Sequence, residues 1–211
     1  MAYRNGTYVA FDGGGTSDPT VGDMKYYAML QAWNKDKKHD FHFNDSHKKT
    51  YSVRDSSQME ATLKPRLLER MKNSKNMLLI LSENTNWDRG LLNYEIEMAV
   101  DRYKIPIIAA YPGKTNIIYQ EGIWYKLYYK QEFYPFPVLS GRTIDISSRW
   151  PQALRSRIIN GTARCIHIPF KMEPIVNALE QFTCFTNKLS SSRNTYDQKT
   201  YQKWGMIEFL E

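Results

Sequence analysis

Five consecutive apolar residues, Met77-Leu78-Leu79-Ile80-Leu81, constrain this chain more than any other stretch. A strand sends alternate side chains to opposite faces, so a run with no polar residue needs cover on both sides. Such a strand belongs in the interior of a parallel sheet, and parallel neighbours need crossovers, usually helices. The flanking residues supply them. Upstream, Leu63, Leu67, Leu68 and Met71 recur at helical spacing, with Pro65 in the first turn and Thr62 as the expected N-cap. Downstream, Leu92, Ile96, Ala99 and Tyr103 form the buried stripe of a helix over residues 91–103, with Glu97 and Asp101 on the opposite, solvent side. A second apolar run, residues 105–110, follows that helix.

The same rhythm extends in both directions. Thr7-Tyr8-Val9-Ala10-Phe11 reads as a first strand, and Tyr26, Tyr27, Leu30 and Trp33 as a helix. Residues 40–43 alternate polar and aromatic like a second strand. Ser148 as N-cap, Pro151 in the first turn and Trp150, Leu154 and Ile158 predict another helix. Residues 165–168 read as a fifth strand, and Ile175, Leu179 and Phe182 as a closing helix. This alternation predicts an α/β domain of flavodoxin-like type, with a central, mainly parallel five-stranded sheet flanked by helices. It occupies residues 1–185 and includes an aromatic-rich stretch over 115–147. Residues 186–211 form a polar tail, with Trp204, Met206, Ile207, Phe209 and Leu210 available to dock it.

Composition removes several classes. Two cysteines, Cys165 and Cys184, make neither a disulfide framework nor a zinc site, and they read as core packing. The longest apolar runs fall far short of the ~18 residues of a membrane span, and no basic-then-apolar signal opens the chain. A soluble, cytoplasmic protein without membrane contact is expected. The excess of 29 Lys+Arg over 22 Asp+Glu, net +7, is scattered rather than gathered into a stripe, so nucleic acid is not an expected partner.

In an open parallel sheet, ligands bind outside the carboxyl ends of the strands. That rule nominates three loops, residues 12–22, 44–57 and 82–90. The first holds Phe11-Asp12-Gly13-Gly14-Gly15-Thr16, which imitates the phosphate loop of actin-like sugar kinases. No returning strand follows, nor the Gly-Lys-Ser/Thr of a Walker loop, and 211 residues cannot hold the two-lobed kinase fold. It remains either a flexible turn or a bare backbone that a nucleotide can approach closely. His39, His42 and His47 cluster before and within the second loop. On a strand His39 and His42 point to opposite faces, so no metal site is expected from them. Glu95 lies on the flank of the apolar stripe, about 60° from its centre on an ideal helical wheel. By geometry it is either a salt-bridged structural residue or a carboxylate facing the cleft.

These residues carry a resemblance. Leu63-Lys64, Leu67, Met71 and residues 74–82 (Ser-Lys-Asn-Met-Leu-Leu-Ile-Leu-Ser), followed by Leu92-Asn93-Tyr94-Glu95-Ile96 and Pro106-Ile107-Ile108, resemble TIR-like domains. Among these the similarity is to the bacterial group of Thoeris anti-phage defence that includes ThsB. Residues 8–12, Phe43-Asn44-Asp45-Ser46 and residues 166–170 sit at the group's first, second and last strand ends.

The resemblance implies cleavage of NAD⁺ as a substrate, with no cofactor and no metal, by one glutamate on the helix after the third strand. Residue by residue, that glutamate is Glu95. Many TIR enzymes carry a tryptophan four residues before it. Here that position is Leu91, and Trp87 lies in the preceding loop. The nucleotide is then expected across the strand ends, touching Phe11, Asp12, Asp45, Ser82 and Trp87. The resemblance further implies a cyclic ADP-ribose-type signal that reaches an effector protein. The aromatic residues of 115–137, with the tail, read either as ordinary packing or as a surface for self-association or for a trigger such as a phage protein. The competing expectations are a non-catalytic TIR-like scaffold and a module that senses a nucleotide without cleaving it.

Overall fold

The computed structural model describes residues 4–14, 18–36, 41, 43, 63–86, 88, 90–113, 138–139, 142–143, 150–186, 196, 200 and 203–204. Its core is a four-stranded parallel sheet in the order β1 (Gly6–Ala10), β2 (Ser74–Ile80), β3 (Ile107–Tyr111), β6 (Cys165–Pro169). A separate antiparallel pair, β4 (Val138–Leu139) and β5 (Arg142–Thr143), lies within the aromatic stretch.

The apolar run occupies the interior of the sheet, as its two-sided character requires. Met77 pairs with Tyr8 on one side and Ile107 on the other, and Leu78 pairs with Val9 and Ile108. Alternate residues feed two cores. Met77, Leu79 and Leu81 join Tyr8, Ile107, Ala109 and Tyr111 on one face; Leu78 and Ile80 join Val9, Ile108, Ile166 and Ile168 on the other. The first face is covered by α2 (Lys64–Lys72), α3 (Gly90–Glu97) and α4 (Gln152–Ile159) through Leu67, Met71, Leu92, Ile96 and Leu154. The second is covered by α1 (Met24–Lys35) and α5 (Met172–Gln181) through Tyr27, Leu30, Ile175 and Leu179.

The structure revises several local expectations. Four of the five expected strands pair among the described residues. Of the expected second strand, Phe41 and Phe43 are buried beside Trp33 without strand pairing, while Asp40 and His42 lie outside the described residues. The helix expected over 91–103 divides into α3 and a π-helical turn, Met98–Arg102, closed by Lys104 at φ 54°. The wider turn keeps the consecutive residues Ala99 and Val100 buried together. Glu97 and Asp101 do not simply face water. Both approach Arg157 of α4, Glu97 at 3.7 Å, and so tie the two helices together.

Leu63, not Thr62, holds the cap position of α2; Thr62 lies outside the described residues. Pro151 rather than Ser148 caps α4, and Trp150 sits just ahead of that helix, still buried. Ser148 also lies outside the described residues. A first-turn amide at the α4 start is satisfied from another helix, the Ala153 N–H donating to Asn93 Oδ1 at 2.7 Å. Trp204 is buried in the α3-side core, its carbonyl accepting from Lys171 Nζ at 2.6 Å. Tyr196 packs against both cores and contacts the Phe182 and Trp204 rings.

The fourth histidine is a core residue. His167, 0% exposed on β6, stacks near Tyr111 and Trp150, with ring centroids 5.9 and 5.4 Å away. The Trp150 indole can only donate, and it donates to the Tyr111 hydroxyl at 2.8 Å. That hydroxyl also shares a 2.8 Å hydrogen bond with His167 Nδ1, which joins the three side chains. Burial pushes this imidazole down to about 3 from its ordinary 6.5. A depressed folded-state value means that the unfolded chain takes up the proton first, so stability is lost as pH falls below 6.5 toward 3. We expect the unfolding free energy of wild type relative to His167→Phe to drop by a few kcal/mol across that window. Urea unfolding at stepped pH measures it, and a constant difference would contradict the buried neutral ring.

Candidate functional site

Two parallel strands that end side by side leave their last carbonyls and the following loops at one edge of the sheet. Here the edge is built by the ends of β1 and β2, and polar side chains meet there. Asp12, two residues beyond β1, is buried. Its Oδ1 accepts the Gly14 N–H and its Oδ2 the Asn86 N–H, both at 2.9 Å. The first bond folds the glycine loop back on Asp12, with Gly14 in the left-handed region at φ 58°. The second ties that loop to the one after β2. The Gly14 amide thus points to Asp12; Gly15 and Thr16 lie outside the described residues.

Ser82, two residues beyond β2, is 1% exposed. Its hydroxyl donates to Asp23 Oδ1 and accepts the Asn84 N–H, and its own N–H donates to Thr85 Oγ1 at 2.8 Å. Thr85 Oγ1 donates in turn to Asp23 Oδ2 at 2.6 Å. Asp23 holds the N-cap position of α1, where an aspartate usually accepts a first-turn amide. Instead its carboxylate reaches across to the β2 loop, still at the positive end of the α1 dipole. Phe11 is half-buried and stacks on Tyr27, with centroids 5.0 Å apart. Asp45 and Trp87, with the loop histidines His39, His42 and His47, lie outside the described residues.

Glu95 lies in the second turn of α3 and is 7% exposed. Its Oε1 accepts the Tyr8 hydroxyl of β1 at 2.7 Å, so the flank position on the wheel turns inward to the sheet. A phenol of the neighbouring strand is thus one of its partners. Among the described residues no group of three or more His, Cys, Asp or Glu could hold a metal ion. Neither cysteine is in a disulfide, and burial pushes the Cys165 thiol up. Sequence reasoning singled out Asp12, Ser82 and Glu95 but missed Asp23, Thr85, Asn86 and Tyr8. Asp23 carried a signal, an acidic residue directly before a helical stripe, but its use as a tether to another loop is tertiary.

Asp23 makes the site sensitive to pH. Burial pushes its carboxyl above the ordinary 3.8, the Asp12 charge adds to this, and the bonds from Ser82 and Thr85 oppose it. A raised folded-state value in an acid means that the native protein holds the proton longer. Stability contributed at Asp23 therefore falls as pH rises from 3.8 through the raised value. Wild type measured against Asp23→Asn should lose relative stability over that interval, as followed by chemical unfolding between pH 3 and 7. A pH-independent difference would refute the assignment.

No helix among the described residues is long and apolar enough to cross a membrane. The family model for the TIR-like domain of Thoeris protein ThsB matches residues 8–117, just over half of the chain. The match takes in β1, β2, α3 and β3, and with them Tyr8, Asp12, Asp23, Ser82 and Glu95. The sheet of four parallel strands with helices on both faces agrees with the fold of such a domain. The chain belongs to the Thoeris ThsB family of TIR-like domain proteins, a family of anti-phage defence.

Proposed function

We propose that this chain cleaves NAD⁺ and releases a cyclic ADP-ribose-type nucleotide that activates a separate effector protein. The observation that carries the proposal is Glu95, a buried carboxylate on the helix that follows the central strand, held by a hydroxyl from the neighbouring strand. In the reaction the bond between the nicotinamide nitrogen and ribose C1′ breaks, and its electron pair leaves with neutral nicotinamide. The ribose carbon becomes an oxocarbenium-like cation. A nucleophile of the same nucleotide then closes on C1′ with loss of a proton; capture by water gives open ADP-ribose instead. Nicotinamide leaves without acid catalysis, so the protein's task is electrostatic. A fixed negative charge in a site poor in water steadies the developing cation.

The nucleotide would lie across the carboxyl ends of β1 and β2, with Phe11, Asp12, Asp45, Ser82 and Trp87 as its contacts. The Asp12–Asn86 and Asp23–Ser82–Thr85 bonds support this by holding the two loops in one arrangement, a framework that need not reorganise on binding. Self-association, or contact with a trigger such as a phage protein, through residues 115–137 and the tail completes the proposal.

Glu95→Gln keeps size and an acceptor for Tyr8 but removes the charge. Nicotinamide release should fall on the order of 10²–10³-fold. The matched control is Glu97→Gln, whose side chain is 43% exposed and only borders Arg157; it should leave release unchanged. Purified protein is incubated with NAD⁺, with and without phage-infected lysate. Equal release by triggered wild type and Glu95→Gln would replace the enzyme with the non-catalytic scaffold.

A further inference from the structure

Tyr8 is 0% exposed on a strand where phenylalanine would fill the same volume without a polar atom. Its neighbours explain the ring but not the hydroxyl. Met77 pairs with it across the ladder, and Ala10, Leu79 and Ile96 share its apolar core. A buried hydroxyl is tolerated only with a partner, and here the partner is Glu95 Oε1 at 2.7 Å. Glu95 is a long side chain whose fixing costs rotamer entropy. A bond that fixes it before substrate arrives removes that cost from the reaction.

Resting on the proposal that Glu95 steadies the ribosyl cation, we infer that Tyr8 is its positioning residue. Through its hydroxyl, Tyr8 fixes the rotation of the carboxylate and favours the ionised form. Among the described residues, the charged and titratable groups that bear on the Tyr8 phenol are Glu95 and Tyr94 of α3 and Arg70 of α2. Burial, then the negative charge of Glu95 and the bond to it, push the Tyr8 phenol well above its ordinary value. The phenol therefore remains protonated, and a donor, through the neutral range.

Tyr8→Phe removes the donor and keeps the ring. In the triggered full-length protein, kcat for nicotinamide release should fall roughly 10- to 100-fold, the worth of one hydrogen bond to a charged group, with KM for NAD⁺ within about twofold. The acid limb of the kcat–pH profile should move to higher pH, because the carboxylate loses a bond that favours its charge. In the Glu95→Gln background, Tyr8→Phe should add no further loss. A turnover-free readout runs in parallel: the ¹³C resonance of the Glu95 carboxyl carbon, assigned by its absence in Glu95→Gln, should titrate at higher pH in Tyr8→Phe.

Unchanged kcat and an unmoved acid limb in Tyr8→Phe, with Glu95→Gln inactive, would overturn the positioning role and leave the enzyme reading intact. A loss of the same size in both backgrounds would overturn it as mere packing damage. Glu95→Gln as active as wild type would mark the failure of the enzyme reading itself, and the positioning role would fall with it. Should Tyr8→Phe not fold, 3-fluorotyrosine at position 8, a stronger donor of similar shape, should move the acid limb to lower pH; an unmoved limb overturns the inference.

Discussion

β2 gives its two faces to two cores and its two edges to two parallel neighbours, and the rest of the structure depends on that arrangement. Every backbone group along its middle is taken up by β1 and β3, so it can sit where no water reaches. Parallel pairing brings the carboxyl ends of the strands to one edge, where the ladder stops and backbone groups lose their partners. The chain answers with side chains. Asp12 accepts amides from both loops, and Asp23 accepts hydroxyls from Ser82 and Thr85. The polar cluster at the candidate site is thus a consequence of how a parallel sheet ends as much as a preparation for ligand.

The α3-side core contains two further polar contacts in otherwise apolar surroundings, Tyr8 with Glu95 and the set of Trp150, Tyr111 and His167. Each places a hydroxyl where an aliphatic side chain would pack at lower desolvation cost. Each also joins elements far apart in sequence, β1 to α3 in the first case and β3 to β6 and the α4 entrance in the second. The two contacts differ in chemistry. His167 is kept neutral by burial and has an uncharged hydroxyl as neighbour, which suits a structural role. Glu95 is an acid that accepts from a hydroxyl, a bond of the kind that favours the charged form of a carboxylate.

Much of the architecture was legible in local pattern. Met77-Leu78-Leu79-Ile80-Leu81 announced an interior strand because five apolar residues leave no face for water. Helical spacing located α1 through α5 to within a few residues, since each buries one stripe against the sheet. Asp12, Ser82 and Glu95 could be nominated because the carboxyl ends of parallel strands are where loops and helix starts converge.

What the sequence by itself determined is therefore the α/β class, the interior place of β2 and the neighbourhood of the site, all properties of periodicity and chain order. Tertiary structure decided the partners. Asp23 left its own helix to bind the β2 loop, Asn93 capped α4 from another helix, and Glu97 and Asp101 found Arg157. Glu95 found a tyrosine 87 positions away as a partner. Such pairings depend on which surfaces are pressed together and which buried polar groups then need satisfying. Local periodicity carries no term for either, because it reports where a side chain points and not what it meets.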